Sequence, residues 1–446
     1  MEQLPQEGLF VLERLEQAGF EAYFVGGLVR DLLRHVPAHD ADLASNATPQ
    51  AVIDAFPDCS VLKTGIKHGT VTVLVNHVPV EVTTYRTESG YSDARHPDTV
   101  RFAQRIEEDL SRRDFTINAM ALHPSRGLVD PFGGRSDLEQ RIIRCVGDAN
   151  KRFEEDALRI LRALRFSAVL GFSLVDSTSR AARRLKDHID LLSRERVQSE
   201  CSKLLCANHV RNVLMLYPDI LSEVFPFLIK MQGFDQHNEH HCFDLLEHTA
   251  CAVEQIAPTL ALRLAALLHD CAKPDCFHLD ENGVGHFYGH ASRGAELAQE
   301  LLCSLKYDRH TLQRVPLLVK WHDAPMEENT RIIKRRLNQM GEDALRELLQ
   351  LQRADTLALA PKYHDRLTHF DKLEAILDEV LRQDACFSVR KLAVSGNDLR
   401  RLGLSGRAIG QAQRLLVDAV IDERVENDRS QLLDFLKKQG FAVDIM

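Results

Sequence analysis

The rhythm of hydrophobic and polar positions changes near residue 150. Before that point strand and helix patterns alternate. "TVTVLV" (70–75) and "VPVEVTTY" (78–85) keep a period of two on either side of Asn76-His77, which predicts a hairpin. "AYFV" (22–25) is a short continuous apolar run and reads as a strand, followed by Gly26-Gly27 and a helix through "LVRDLLRH". Thr48 and Pro49 have the chemistry of an N-cap and a first-turn proline opening the helix "PQAVIDAF". From about residue 151 the pattern is helical almost to the end. "ALRILRALRFSAVLGF", "ALRLAALLHDCAK" and "ALRELLQLQRADTLALA" all place apolar residues at i, i+3 and i+4. "SVRKLAVSGNDLRRLGLSGRAIG" carries turn glycines and opens a helical C-terminal tail. The expectation is an α/β head followed by a long all-helical remainder, without repeats or low-complexity segments.

Composition changes this picture little. A chain of 446 residues exceeds one ordinary core, so about three domains are expected. The hydrophobic fraction of 44% and charged fraction of 27% are those of a folded protein. Ten cysteines without a CxxC pair suggest reduced thiols rather than a zinc ribbon or a disulfide framework. The start "MEQLPQEGLF" has neither a basic nor an apolar signal region, and no apolar run approaches membrane-spanning length. A cytoplasmic protein with no membrane partner is expected. The net charge of −9 argues against nonspecific coating of nucleic acid, although "RAARRLK" (180–186) and "RIIKRR" (331–336) would supply local basic faces or ordinary solvated ones.

The candidate chemistry of the head starts from "HDADLASNATP" (39–49). On a strand, Asp40 and Asp42 point to one face while Ala41 and Leu43 point to the other. Two carboxylates that close repel unless a cation relieves them, and Mg2+ suits a few carboxylates together with phosphate oxygens and water. Glu81 lies on the strand face opposite Val78, Val80 and Val82, where it becomes a third carboxylate if that face meets the pair. Gly26-Gly27 would let backbone N–H groups approach a triphosphate, with Arg30 one turn on. Asp156 and Arg159, at i and i+3, would form either a local salt bridge or a reader of a base's pairing edge. A carboxylate beside a guanidinium matches the amino donor and ring-nitrogen acceptor of cytosine and adenine, and mismatches uracil and guanine.

The ordered motifs "GGLVRDLLRHVPAHDADLASNATP", "VEVTTYRTESGYSDARHPDTVRF", "RRDFTINAMA" and "RFEEDALRILRALRFSA" span residues 20–205 together with "LSRERVQSECSKLL". In them the chain resembles the class II tRNA nucleotidyltransferases, the CCA-adding enzymes, and their bacterial poly(A) polymerase relatives. The resemblance implies an α/β nucleotidyltransferase head, polymerase-β-like with a mixed sheet and helices, over residues 1–150. It also implies an all-α neck carrying the base template over 151–222, an HD-type body over 223–365 and a helical tail over 366–446. It implies that Asp40 and Asp42 bind catalytic Mg2+ with Glu81 in support. Gly27, Arg30 and Arg113 would touch triphosphate or ribose, with Arg112, Asp114 and Asn118 nearby. Asp156 and Arg159 would read the base. Arg162 and Arg165 follow at three-residue steps, each turning about 60° on a helix, so the four cannot share a face; Arg165 would then serve phosphates or packing. The family's "DxDxxT" stands here as "DADLAS", with Ser45 in place of Thr. "YSDARHPDTVRF" resembles the flexible loop of CCA- and A-adding enzymes, and the tail lacks the strong basicity usual in poly(A) polymerases. The implied partners are the tRNA 3′ end, CTP and ATP.

A second constellation lies in the helical part. His269-Asp270, in "HDCAKP", closes an apolar helix, with His248 before it and His290, His322 and Asp355 after it. Imidazoles and carboxylates spread over several helices can converge on divalent metals. His248, His269, Asp270 and Asp355 would make one site, and His290 and His322 would complete a second. The order resembles an HD-type phosphohydrolase domain, which in some CCA-adding enzymes hydrolyses phosphate esters, including 2′,3′-cyclic ends. Lys273 would suit a phosphate contact, and His237, His240 and His241 read as loop or surface groups. The leading expectation is template-independent addition of C, C and A to tRNA. The alternatives are an A-adding enzyme or a poly(A) polymerase, an HD phosphohydrolase with an RNA-binding head, and an inactive RNA-binding protein.

Overall fold

The structure, a computed structural model, describes residues 4–37, 41–89, 99–237 and 242–441. Asp40, most of the "YSDARHPDTVRF" loop, His240 and His241 lie outside the described residues. The chain divides into two compact units, Met1–Ile229 and Lys230–Met446. The head and neck segments read from the sequence fall in the first unit, and most of the HD-type body and the whole tail in the second.

The first unit is built on a seven-stranded mixed sheet. Its strands are β1 (Ala22–Val25), β2 (Ala41–Ser45), β3 (Ser60–Leu62), β4 (Thr70–Val75), β5 (Val78–Thr84), β8 (Ala121–His123) and β9 (Gly127–Val129); β6 (Arg86–Ser89) and β7 (Thr99–Phe102) form a separate antiparallel pair. The sheet order is β3-β4-β5-β2-β1-β8-β9. β2 runs parallel to β5 and antiparallel to β1. The predicted hairpin is β4–β5, whose turn residues Asn76 and His77 both take positive φ, 51° and 68°, as a tight two-residue turn demands. β1 is buried along its whole length, which explains its unbroken apolar run.

Helices α1 (Gln6–Gln17), α2 (Gly27–Leu33), α3 (Pro49–Ala55), α4 (Ile106–Ser111) and α5 (Gly134–Glu139) accompany the sheet. Thr48 caps α3 by accepting the Ala51 N–H at 3.3 Å, with Pro49 in the first turn, as its sequence predicts. After the head come α6 (Ala149–Glu155), α7 (Leu158–Leu170), α8 (Asp176–Arg184) and α9 (Arg194–Leu205). The stripe of α7 packs Ile160, Leu161, Leu164 and Ala168 into the core. The sequence pattern treats 154–166 as one helix, whereas the backbone breaks at Asp156 (φ −149°, ψ 104°) and restarts at α7.

Among the described residues the second unit is helical apart from a small hairpin, His278–Leu279 with Gly285–His286. Its principal helices are Leu245–Gln255, Leu260–Leu268, His290–Ser304, Arg309–Trp321 and Thr330–Leu357. The last is kinked at Gly341, whose φ of 80° only a glycine adopts without strain. Three tail helices, Gly396–Arg401, Arg407–Ile421 and Arg429–Lys438, share a core of Leu399, Leu416, Leu432 and Leu436. All ten cysteines are free thiols. No described helix is long and apolar enough to cross a membrane. The two basic clusters are partly neutralised: Arg183 pairs with Asp219 and Lys186 with Glu223, while Arg331 pairs with Glu423 and Arg335 with Asp422.

Gly134 opens α5 against the short 3-10 turn Thr116–Asn118; a Cβ there would stand 2.2 Å from the Thr116 carbonyl oxygen. Gly134→Ala should therefore cost the first unit about 1–3 kcal/mol, the scale of overpacking a close contact. Thermal or denaturant unfolding checks this, and a variant as stable as the parent would contradict the close approach.

Candidate active site and candidate metal centre

The carboxylates of the head meet through strand register. Asp42 on β2 and Glu81 on β5 are direct partners in a parallel pair, so their side chains leave the sheet on one face. Asp42 is half-buried and Glu81 exposed, while Val80 and Val82 turn into the core. Asp40, one residue before β2, lies outside the described residues, so the acidic face is described through Asp42 and Glu81.

Beside it a network of side chains grows from the glycine turn. Gly26 takes φ 72°, and a Cβ there would lie 3.1 Å from an Arg113 guanidinium nitrogen; one on Gly27 would lie 3.5 Å from Arg30. The Arg30 fork is held by Asp31 at 2.9 and 2.8 Å, and its remaining Nη1 donates to Asn118 Oδ1 at 2.9 Å. Asn118 Nδ2 donates to Asp114 Oδ1 at 3.2 Å, and Asp114 Oδ2 accepts from Arg162 Nε and Nη2 at 2.8 and 2.6 Å. Burial alone would push the Asp114 carboxyl up. The Arg162 guanidinium, with hydrogen bonds from Arg162, Asn118 and the Phe115 N–H, outweighs it and holds Asp114 below the usual carboxylate range. Arg113 reaches the Asn118 carbonyl and the fully buried Asp109, which also pairs with Arg112 at 2.8 Å. The guanidiniums of Arg30, Arg162 and Arg165 all lie over the Phe166 ring, at 5.4, 5.4 and 4.4 Å.

The structure corrects one expectation about the base reader. Asp156 and Arg159 do not stand side by side on a helix. The break at Asp156 turns its carboxylate to cap α7 through the Leu158 N–H at 3.1 Å and to pair with Arg196 at 2.8 Å. Arg159 instead bonds Glu155 at 2.6 Å and the carbonyls of Arg152 and Arg112 at 3.1 and 3.2 Å. Arg165 stands apart from Arg159, with its Nε 3.0 Å from Glu200. Sequence reasoning missed Asp31, Asp109, Arg196 and Glu200. Asp109 was detectable, at i, i+3 and i+4 from Arg112 and Arg113; Arg196 and Glu200 come from a distant helix with no local signal.

In the second unit the predicted imidazoles and carboxylates converge. One potential ligand atom from each of His248, His269, Asp270 and Asp355 lies within 4.8 Å of all the others, and Asp270, His290 and His322 form a second such group. Asp270 joins the two groups. Its Oδ2 lies 3.1 Å from His269 and 3.7 Å from His248, and its Oδ1 lies 3.5 Å from both His290 and His322. Each ring is turned by a bond on its other nitrogen. Nδ1 of His269, His290 and His322 donates to the carbonyls of Ala266, Phe287 and Val319 at 2.7–2.8 Å, and Nδ1 of His248 faces the Ala358 carbonyl at 3.3 Å. That leaves Nε2 of every ring facing the cluster, the atom that a metal would take as its ligand.

The donor set fits divalent metal. Nε2 of His269 and Oδ1 of Asp270 are buried without a hydrogen-bond partner. Ligands about 2.1 Å from a tetrahedral ion lie about 3.4 Å apart, close to the spacings here. Burial lowers proton affinity at His269, but Asp270 and Asp355 outweigh it and push this imidazole up to about 10; a divalent cation would answer the same negative field. Lys273, predicted as a phosphate contact, is buried and held by Asp270 at 2.7 Å and Gln236 at 2.9 Å.

Both units match known domains. Residues 22–144 match the family model "Poly A polymerase head domain", 171–231 match "Probable RNA and SrmB- binding site of polymerase A", and 245–360 match "HD domain". Enzymes named CCA-adding enzyme are similar: that of Lactobacillus delbrueckii subsp. bulgaricus is 52% identical over 194 residues, 44% of this chain and 48% of the relative. That of Streptococcus pneumoniae is 46% identical over 240 residues, 54% of this chain and 59% of the relative. A crystal structure of the Bacillus stearothermophilus CCA-adding enzyme in complex with CTP superposes with a TM-score of 0.72 at 28% identity, over 98% of each chain.

The chain is thus similar to the CCA-adding enzymes and carries a poly(A) polymerase-type head domain and an HD domain. It spans about half the length of the curated relatives that it matches. The Thermotoga maritima CCA-adding enzyme complexed with tRNA shares the fold, with a TM-score of 0.60 at 18% identity. The fold is a nucleotidyltransferase head with a mixed sheet, followed by helical segments and an HD domain, as the sequence implies.

The cluster geometry sets the expected metal content. Protein incubated with Mn2+ or Ni2+ and desalted should retain up to two ions per chain. His290→Ala should lose one and keep the other, while Asp270→Ala should lose both. Elemental analysis measures this, and full retention by Asp270→Ala would contradict a bridging carboxylate.

Proposed function

We propose that the protein is a template-independent tRNA 3′-end nucleotidyltransferase that adds C, C and A from CTP and ATP. The observation that carries this reading is the lateral pairing of Asp42 with Glu81 beside the Arg30–Asn118–Asp114–Arg162 network. Relatives named CCA-adding enzyme favour CCA addition among the reactions such a head performs.

In this reading Asp40 and Asp42 hold Mg2+ and Glu81 supports them. When bound, the metal lowers the pKa of the RNA 3′-hydroxyl and neutralises charge on the phosphates. The 3′-oxygen attacks the α-phosphorus, the bond to the β-phosphate bridging oxygen breaks, and pyrophosphate leaves. Gly27 admits the triphosphate to the start of α2, while Arg30 and Arg113 carry its negative charge. Asp156 and Arg159 read the pairing edge of the incoming base once it displaces their present partners, Arg196 and Glu155. Arg162 keeps Asp114 charged, and Arg165 braces α7 against Glu200. The compartment expected is the cytoplasm, where tRNA ends are matured.

A second reading concerns the HD domain. Four rings turned by carbonyls toward one carboxylate favour a metal-dependent phosphohydrolase in the second unit. The imidazole-rich donors suit Mn2+, Fe2+, Co2+, Ni2+ or Zn2+ rather than Mg2+.

Incubating the protein with tRNA lacking its last three nucleotides, CTP, ATP and Mg2+ should add C, C and A and then stop. A long A tract would support a poly(A) polymerase, and growth only on tRNA already ending in CC an A-adding enzyme. Asp42→Ala should reduce addition by at least about 10³-fold, the scale of losing a catalytic metal's anchor; unchanged incorporation would sink the reading.

Asp156→Ala should relax the choice of C and A over U and G by about 10- to 100-fold, as expected for one bidentate base contact. Competition between labelled nucleotides measures this, and unchanged selectivity would remove Asp156 from the template.

A further inference from the structure

A cavity of about 470 Å³ opens beside the His/Asp cluster of the second unit. That exceeds what two ions need and falls in the range of small-molecule sites. One wall holds Asp270, His290, His322 and Asp355. The cavity is also lined by an arrangement that metal binding does not require, here called its lip. Tyr288 is 76% exposed, and its ring lies flat on His286, with centroids 5.3 Å apart and planes 5° apart.

This lip is rigidly placed. His286 Nε2 is 3.0 Å from Asp280 Oδ2, and Asp280 Oδ1 also accepts the N–H groups of Asn282 and Val284 at 2.8 and 2.9 Å. Gly285 donates to the His237 carbonyl at 3.0 Å and lies so close to Gln236 that a Cβ would stand 2.3 Å from that carbonyl oxygen. Beneath the hairpin Phe277 packs against Phe234 and Phe287 at 5.3 and 5.7 Å. Tyr288 is therefore an exposed aromatic face on a fixed support. It stands two residues before the cluster residue His290, at most about 7 Å along the chain.

Beside the acidic Asp270, Asp323 and Asp355, the cavity lining includes groups that suit an anion once metal is bound. Helix His290–Ser304 starts on Gly289 with no side-chain cap, its first-turn residues Ala291 and Ser292 line the cavity, and Arg366 lines it as well. An aromatic plane and a metal-binding cluster lining one cavity fit a flat base joined to a phosphate through a sugar.

We propose that Tyr288, stacked on His286, is the base platform of the HD site, so that this site selects phosphate esters carried by a nucleoside: a nucleoside monophosphate or the phosphorylated last nucleotide of an RNA. This rests on the phosphohydrolase reading given above. In that reaction water adds its oxygen to phosphorus, the bond from phosphorus to the nucleoside oxygen breaks, and that oxygen leaves with a proton. The platform takes no part in bond breaking. It sets which alcohol is carried to the cluster.

The test compares the metal-loaded full chain with Tyr288→Ala and Tyr288→Phe, on adenosine 3′-monophosphate and on glycerol 2-phosphate, by phosphate release. Loss of one stacking plane should raise KM for the nucleotide about 5- to 100-fold in Tyr288→Ala, leave kcat near the parent value, and be rescued in Tyr288→Phe. Turnover of glycerol 2-phosphate should not change. An unchanged nucleotide KM, or an equal loss on both substrates, overturns the platform while leaving the hydrolase reading intact. If the parent hydrolyses neither substrate with Mn2+, Ni2+, Co2+ or Mg2+, the hydrolase reading falls. Calorimetric titration of the same proteins with adenosine 3′-monophosphate then decides the platform: a binding event lost in Tyr288→Ala supports it, and identical isotherms overturn it.

Discussion

The carboxylate of Asp114 carries its charge in a place with little water, and the polar half of the first unit is organised around that charge. A buried carboxylate is tolerable only when its lone pairs are met by donors and its charge by a partner. Here Arg162 on α7 supplies the partner, the Phe115 N–H one donor and Asn118 another. Because Asn118 spends its amide on Asp114, its oxygen is free to fix Arg30, and Arg30 in turn stands over the glycine turn. The orientation of the guanidinium assigned to the triphosphate is thus set through a chain of bonds that begins on a helix after the head. Removing any link would leave the next with an unmet polar group, a larger penalty than the net strength of one hydrogen bond.

Asp270 obeys the same rule by a different route. It is as deeply buried, but among the described residues Lys273 is the permanent cation that pairs with it, and both of its oxygens lack a hydrogen-bond partner. Four imidazoles turn Nε2 toward it, nitrogens that can exchange a proton for a metal ion. In the first unit a buried charge is answered by guanidinium and locks structure; in the second it is left to be answered by a ligand. That contrast separates a structural carboxylate from a functional one more sharply than burial or sequence context does.

Much of this was legible in the chain. The β4–β5 alternation, the Thr48-Pro49 helix start and the apolar stripes of α7 and Leu260–Leu268 follow from local pattern, because one face of each is buried. The convergence of the His/Asp cluster in the second unit was legible because imidazoles and carboxylates recur along several helices around His269-Asp270. The break at Asp156 was not. Its run of apolar residues continues with helical period, and only the competition of an aspartate side chain for the Leu158 N–H divides it. Likewise, Asp156 finds Arg196 and Arg165 finds Glu200 across about 35–40 residues of sequence. Pairing over such distances is decided by the packing of α7 on α9, which no local spacing encodes.

Three of the four imidazoles around Asp270 are oriented in one way: each donates to the carbonyl of the residue three positions earlier. An outer shell made of side chains can drift, since one substitution removes a support and detunes the inner ring. A shell made of main-chain oxygens has no such exposure to mutation, because every amino acid brings the same carbonyl. The durability of this centre therefore rests on helix ends keeping their course, and its inheritance could be broken only at the inner ring itself or by bending the scaffold.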